Sequence, residues 1–226
     1  MTIPRHALTQ IRLLIFDLDG TLVDSKTDLA LSVNAVREQM GLAPLAHEVV
    51  ASYVGHGVTT LVRRALGDEA VEEDIERGLA LFVDHYRQHM LDNTVVYPGV
   101  CEALEDLRDR NLAVLSNKRT GFSRAMLTGL GIAHYFSFIY GDDSFDQKKP
   151  DPVGVNKLMS ETNISPRQTM VIGDSDTDVL TGRNAGVWTC GVTYGFGAHT
   201  LATCPPDLLL GDLRELPTLL HAGESA

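Results

Sequence analysis

Leu13-Leu14-Ile15-Phe16-Asp17-Leu18-Asp19-Gly20-Thr21 is the stretch that decides the fold. Four apolar residues run without alternation and stop at a carboxylate, the pattern of a short strand buried on both faces. Asp17 then falls at the strand's carboxyl end, where open α/β sheets bind ligands. Asp17, Asp19 and Thr21 share parity, so in extended chain they project to one side, and Gly20 permits a turn there without a Cβ clash. Two carboxylates and a hydroxyl so placed can hold a divalent cation and leave one carboxylate free for chemistry. Asp and Gly are also ordinary turn residues, so the stretch needs support from the rest of the chain.

The chain has 226 residues, enough for one sizeable core or a core with a smaller insertion. With 44% hydrophobic and 22% charged residues, it has the composition of an ordinary soluble protein. Its formal net charge of -11 weighs against sequence-independent nucleic-acid binding, which needs Lys and Arg facing phosphates. An anionic substrate would need local positive charge, from a metal or a lysine, to offset that background. Cys101, Cys190 and Cys204 are odd in number and widely spaced, so they suggest a reducing compartment rather than a disulfide framework or a metal cluster. There is no secretory h-region and no apolar run of membrane-spanning length. The expectation is a cytoplasmic monomer or homodimer with no nucleic-acid or membrane partner.

After the first strand the pattern turns helical, with no convincing strand until about Asn111. Leu29, Val33, Val36 and Met40 recur at helical spacing, with Ser25 and Asp28 placed to cap the start and Gly41 to end it. Leu45, Val49 and Tyr53 mark one face of the next segment, which Gly55-His56-Gly57 breaks. Val58, Leu61, Val62 and Ala65 form a short helix ending at Gly67. Ile75, Leu79, Phe82 and Tyr86 mark a longer one. Residues 25–94 therefore read as a helical insertion between two parts of an α/β chain, residues 1–24 and 95–226.

From Pro98-Gly99 onwards strands alternate with helices. Apolar runs at Leu112–Leu115, Phe138–Tyr140, Thr169–Ile172 and Val187–Val192 read as strands, and Leu208–Leu210 is a further candidate. Such alternation implies right-handed crossovers and a Rossmann-like parallel sheet with helices on both faces. Residues His221 to Ala226 are expected to fray.

Parallel strands put their carboxyl ends on one edge, so distant polar signals converge there: Asp17-x-Asp19-x-Thr21, Ser116-Asn117, and Asp174-x-x-x-Asp178. Lys148-Lys149-Pro150 follows the strand at Phe138, and Lys149, fixed in extended backbone by the proline, is the better-directed lysine. Each part has a role if the substrate is a phosphate monoester. Asp17 attacks phosphorus and forms an aspartyl-phosphate. Asp19 protonates the leaving oxygen, then activates the hydrolytic water. Asp174, the Asp17 carboxylate and the Asp19 backbone carbonyl hold Mg²⁺, with Asp178 a ligand or an orienter of its waters. Ser116, the backbone N–H groups after it and one lysine hold the phosphoryl oxygens. Asp176 in the same turn fits a helix N-terminus that carries acids.

These motifs, in this order, resemble the haloacid-dehalogenase-like hydrolase superfamily, and within it the phosphoglycolate phosphatase-like group. The resemblance rests on FDLDGT at Phe16–Thr21, LSN at Leu115–Asn117, KPDP at Lys149–Pro152 and GDSDTD at Gly173–Asp178. VGHG at Val54–Gly57, YPGV at Tyr97–Val100, SNK at Ser116–Lys118 and VTYGFG at Val192–Gly197 extend it. It implies a Rossmann-like core, a helical cap after the first strand, and Mg²⁺-dependent phosphatase chemistry with Asp17, Asp19 and Lys149 catalytic. Thr21, Ser116, Asn117 and Lys149 would bind phosphate, and His56 and Arg63 of the cap could bind a substrate carboxylate. The implied substrate is a small phosphorylated metabolite, 2-phosphoglycolate first. Another phosphate such as a sugar phosphate or pyrophosphate, a sugar-phosphate mutase, and a phospho-ligand sensor are the alternatives.

Overall fold

Asp17 sits at the end of the central strand of a parallel sheet in the computed structural model, which describes residues 3–221. Helix α1 (Arg5–Leu8) precedes β1 (Leu13–Phe16) and the two-residue β2 (Val23–Asp24). Four helices follow without a strand: α2 (Lys26–Gln39), α3 (His47–Ala51), α4 (Val58–Leu66) and α5 (Glu72–His89). The chain returns through β3 (Val95–Val96) and then alternates. The elements are α6 (Val100–Asp106), β4 (Asn111–Leu115), α7 (Thr120–Gly129), β5 (Phe138–Tyr140), α8 (Val153–Thr162) and β6 (Thr169–Gly173). Last come α9 (Asp176–Ala185), β7 (Trp188–Val192), β8 (Leu208–Leu210) and α10 (Glu215–His221).

The six-stranded sheet runs β5-β4-β1-β6-β7-β8, parallel throughout. The candidate strand at Leu208 is its last member, paired with β7. Phe16 lies opposite Val114 and Ile172, so β1, β4 and β6 end within one residue row of each other. Asp17, Ser116 and Asp174 therefore emerge side by side.

Both faces of the sheet are covered, which is why its strands read as continuous apolar runs. Leu14, Phe16, Val114 and Ile172 point into the larger cluster, and Leu13, Ile15, Ala113 and Val171 into the smaller one under α8. The larger cluster continues through Leu29, Val33, Leu61, Ile75 and Phe82 of α2, α4 and α5. Each such side chain contributes about 1.5–3 kcal/mol by its burial.

The structure departs from the sequence expectations in three places. β2 and β3 pair antiparallel, Val23 with Val96 and Asp24 with Val95, a ribbon too short to carry a period. In α3 the buried residue is Val50 (0% exposed), not Val49 (38%), because a single turn offers too few positions to fix the phase. Ser25 and Asp28 do not cap α2. Ser25 Oγ instead donates to Asp19 Oδ1 at 2.5 Å. Asp28 accepts from the backbone N–H groups of Asn93 and Thr94 at 2.8–3.0 Å, and from their side chains at 2.7–2.8 Å. The carboxylate thus ties the first turn of α2 to the segment that leaves the helical insertion. The three cysteines are free. Among the described residues no helix is long and apolar enough to cross a membrane. The fraying expected at 222–226 lies outside the described residues, and His221 closes α10.

Burial raises the Asp28 pKa, but the donated hydrogen bonds outweigh it and hold the carboxyl below its ordinary range. Such a depressed carboxyl adds stability above the unfolded pKa of about 3.9, and that stability is lost as pH falls through the folded value. Asp28→Ala, which strands buried donors, is expected to lower the unfolding free energy by about 2–3 kcal/mol at neutral pH in urea titrations. The difference from the parent protein should shrink below about pH 4. An unchanged denaturation midpoint would refute the tie.

Candidate active site

Asp17, Asp174 and Asp178 are buried, and one carboxylate oxygen of each lies within 4.8 Å of the others. Three like charges so close need a counter-charge, and Lys149 provides one. Its ammonium lies 2.6 Å from Asp178 Oδ1 and 2.9 Å from Asp17 Oδ1. The contact to Asp17 lacks hydrogen-bond alignment, and Asp17 Oδ1 is a buried oxygen with no hydrogen bond among the described residues. Burial pushes the Asp17 carboxyl up to about 6, with Asp178 adding to the effect and Lys149 opposing it. Burial, then the charges of Asp178 and Asp17, pushes Asp174 up to about 8. Burial pulls Lys149 down, but the two carboxylates more than reverse this.

One ammonium against three carboxylates leaves the cluster short of positive charge. The hard oxygen donors and the unbonded Asp17 Oδ1 fit a divalent cation such as Mg²⁺. The chain also closes tightly around Asp174. Gly197 N donates to Asp174 Oδ2 at 2.8 Å. A Cβ on Gly195 would fall 2.3 Å from Asp174 Cβ and 2.3 Å from the Gly20 carbonyl oxygen. Tyr194 donates its hydroxyl to the Thr21 carbonyl at 3.0 Å. The segment after β7 is therefore a strap across the acidic cluster.

Asp178 does two jobs. Its Oδ1 holds Lys149, and its Oδ2 accepts from Ser175 N at 3.2 Å and Ser175 Oγ at 2.8 Å. Asp178 thus closes the N-terminal turn of α9 and at the same time pairs with Lys149.

Asp19 has a different environment, although only one residue separates it from Asp17. Lys118 Nζ lies 2.9 and 3.0 Å from its two oxygens, and Ser25 Oγ donates to one of them. Its carboxylate is outside the acidic cluster. The two neighbouring carboxylates thus have separate lysines.

A single cavity is lined by Asp17, Asp19, Ser116 and Asp174 from the sheet edge. His56, Leu61, Phe82 and Tyr86 from the helical insertion line it too. Ser116 accepts from Lys118 N at 3.3 Å and keeps its own proton free to donate. Asn117 reaches the cavity, but its Nδ2 already donates to Gly55 O at 2.8 Å and Lys149 O at 3.0 Å. Its amide thus ties the loop at Gly55 to the backbone of Lys149. The two adjacent lysines diverge: Lys149 enters the acidic cluster, and Lys148 donates to the His56 carbonyl at 2.6 Å. The Lys149–Pro150 peptide is cis.

Four candidate residues do not line this cavity: Lys149 and Asp178 are buried in the acidic cluster beside it, and Thr21 and Arg63 lie elsewhere. Thr21 is fully buried behind the turn, because Leu18 O accepts from Thr21, Leu22 and Val23 N–H and coils the chain. The parity argument holds only for extended backbone and stops at Asp19. Arg63 lies on an exposed face, its guanidinium 2.9 Å from Glu72. Conversely, sequence reasoning did not assign Lys118, Tyr86 or Ser25 to the site. Lys118 was visible only as the last residue of SNK, and Tyr86 only as a core position of α5. Both meet Asp19 or its lysine across long sequence separations.

Gly195→Ala is expected to push the strap off Asp174 while leaving the sheet intact. Mg²⁺ affinity measured by calorimetry should fall by about 10–100-fold, as for other residues that support a ligand from behind. Undiminished affinity would show that the strap does not shape the cation site.

A sequence model described as haloacid dehalogenase-like hydrolase matches residues 14–192. A phosphoglycolate phosphatase of Chromobacterium violaceum is 40% identical over 223 residues, covering 96% of this chain and 99% of the relative. One from Pseudomonas putida is 41% identical over 214 residues, covering 91% of this chain and 78% of the relative. The crystal structure of a predicted phosphoglycolate phosphatase from Haemophilus somnus 129PT superposes with a TM-score of 0.88 at 32% identity. It covers 93% of this chain and 98% of that one.

Proposed function

The chain belongs to the haloacid dehalogenase-like hydrolase family, and from that premise we propose that it is a Mg²⁺-dependent phosphatase of a small phosphate monoester, 2-phosphoglycolate first. The observation that carries the proposal is the pair of carboxylates with separate lysines: Asp17 in the acidic cluster and Asp19 apart from it. The two carboxylates differ in their partners, Asp17 facing Asp174, Asp178 and Lys149 and Asp19 facing Lys118 and Ser25, so they are placed to play different parts. The relatives' names support 2-phosphoglycolate as the substrate, with coverage near the full length of both chains.

In this reading Asp17 attacks phosphorus as the ester bond breaks, and the leaving oxygen takes a proton from Asp19. Asp19, now a carboxylate, removes a proton from water as that water attacks the aspartyl-phosphate. The products are inorganic phosphate and a regenerated Asp17. The Ser116 hydroxyl and the Lys149 ammonium hold phosphoryl oxygens. Asp17 and Asp174 would hold Mg²⁺, which supplies positive charge between an anionic nucleophile and an anionic phosphoryl group. Asp178, with both oxygens engaged, positions Lys149 and the Ser175 turn. Residues 25–94 act as a cap over a core of residues 1–24 and 95–226. They exclude water during attack, and the ties from Asn117 and Lys148 to Gly55 and His56 hold the cap loop to the core.

Phosphate release is measured across 2-phosphoglycolate, sugar phosphates, nucleotides and pyrophosphate, with Mg²⁺ and with chelator. Chelator-sensitive preference for 2-phosphoglycolate is expected. Preference for another ester would replace the substrate, an isomerised sugar phosphate would indicate a mutase, and silence across the panel a ligand sensor. Asp17→Asn should retain the fold by circular dichroism and lose roughly 10³-fold or more in kcat. Substantial residual turnover would overturn the role of Asp17.

A further inference from the structure

Lys118 is a buried ammonium, its side chain 7% exposed, which the mechanism above does not use. It contacts both Asp19 oxygens and lies over the Tyr86 ring, 4.7 Å from its centroid. Tyr86 is 1% exposed, and its hydroxyl has no hydrogen-bond partner among the described residues. Both side chains line the cavity that holds Asp17, beside the apolar Leu61, Phe82 and Phe122. Arg119, the other Lys or Arg on that wall, is exposed. A buried ammonium and an unsatisfied phenol beside an apolar wall make a place for a small anion, because a charge in such surroundings is weakly screened.

Their position selects where that anion sits on the substrate. If Asp19 is the group that protonates the leaving oxygen, that oxygen lies one hydrogen bond from the Asp19 carboxylate. Lys118 Nζ is 2.9 Å from the same carboxylate. A carboxylate on the carbon that bears the leaving oxygen would then fall within reach of Lys118. An anion several carbons further out would not.

We propose that Lys118, assisted by the Tyr86 hydroxyl, is the specificity-determining residue that binds an anionic group on the carbon next to the leaving oxygen, so that the site selects phosphate esters of 2-hydroxy acids. The proposal rests on the assignment of Asp17 as nucleophile and Asp19 as acid. The ammonium is shared: it holds Asp19 in the empty cavity and donates to the substrate carboxylate when the ester is bound. Arg63, paired with Glu72 on the outer face, plays no part.

The test compares 2-phosphoglycolate with its neutral amide, 2-phosphoglycolamide, by kcat/KM with saturating Mg²⁺. The wild type is expected to prefer the acid by roughly 10–100-fold, the difference made by one charge-assisted hydrogen bond. In Lys118→Met that preference should collapse, with the loss on the acid expressed mainly in KM. Tyr86→Phe should reduce it less, in the same direction. A wild type that handles acid and amide equally overturns the proposal, and this arm needs no variant to fold. So does a Lys118→Met enzyme that loses activity equally on both esters, which would make Lys118 only a support for Asp19. A wild type that cleaves neither ester but hydrolyses another phosphate monoester overturns the proposed substrate and this inference together. A wild type with the expected preference, unchanged in Lys118→Met, overturns this inference alone.

Discussion

Three carboxylates gathered around one buried ammonium are the constraint on which the rest of the structure depends. Asp17, Asp174 and Asp178 are largely buried, and one oxygen of each lies within 4.8 Å of the others. Burial first, and then their mutual repulsion, favours the protonated forms, and Asp17 and Asp174 are both raised accordingly. Lys149 relieves part of it. Removing one partner from a buried pair of this kind typically costs about 3–5 kcal/mol, because the other is left uncompensated. Under the proposed function, the remaining deficit of positive charge is where a divalent cation would sit, and with it a phosphoryl group.

The fold delivers this cluster by register more than by any local device. β1, β4 and β6 are adjacent and parallel, and end together, so Asp17, Ser116 and Asp174 meet although long stretches of chain separate them. The glycines then allow close approach. The turn at Gly20, with φ 86°, and the strap at Gly195 press backbone against the Asp174 side chain, where any Cβ would collide. The cluster is therefore held from below by strands, from one side by Lys149 and from the other by a segment with almost no side chain.

Much of this was legible in the sequence, for identifiable reasons. Leu13–Phe16, Leu112–Leu115 and Met170–Gly173 are buried on both faces, so their runs are continuous, and each stops at a residue that lines the candidate site. Lys149 was legible because a proline follows it and directs its backbone. What was missed depends on contacts that no period encodes. Ser25 and Asp28 satisfy the pattern of a helix cap, yet tertiary partners, Asp19 for one and Asn93 with Thr94 for the other, claimed both side chains. Thr21 was misplaced because backbone hydrogen bonds to Leu18 coil a chain that parity treats as extended. Lys118 meets Asp19 from the next strand of the sheet, and Tyr86 meets Lys118 across the interface between sheet and insertion, where sequence distance carries no information.

That interface links the helical insertion to the chemistry. The insertion enters and leaves through β2 and β3, and Asp28 ties the two crossings together, so the helices are attached to the sheet by one narrow, stiffened ribbon. Elsewhere they touch the site through Tyr86, whose ring lies under Lys118, and through a loop whose carbonyls at Gly55 and His56 are held by Asn117 and Lys148. Each of those donors is a chain neighbour of a residue beside the acidic cluster: Asn117 follows Ser116, and Lys148 precedes Lys149. A shift of the helices would therefore pull on the backbone that carries Ser116 and Lys149, and under the proposed function a phosphoryl group held by those two would favour the arrangement in which the ties are made. Coupling of this kind requires no long pathway, because adjacent residues in the chain face the insertion and the reacting group.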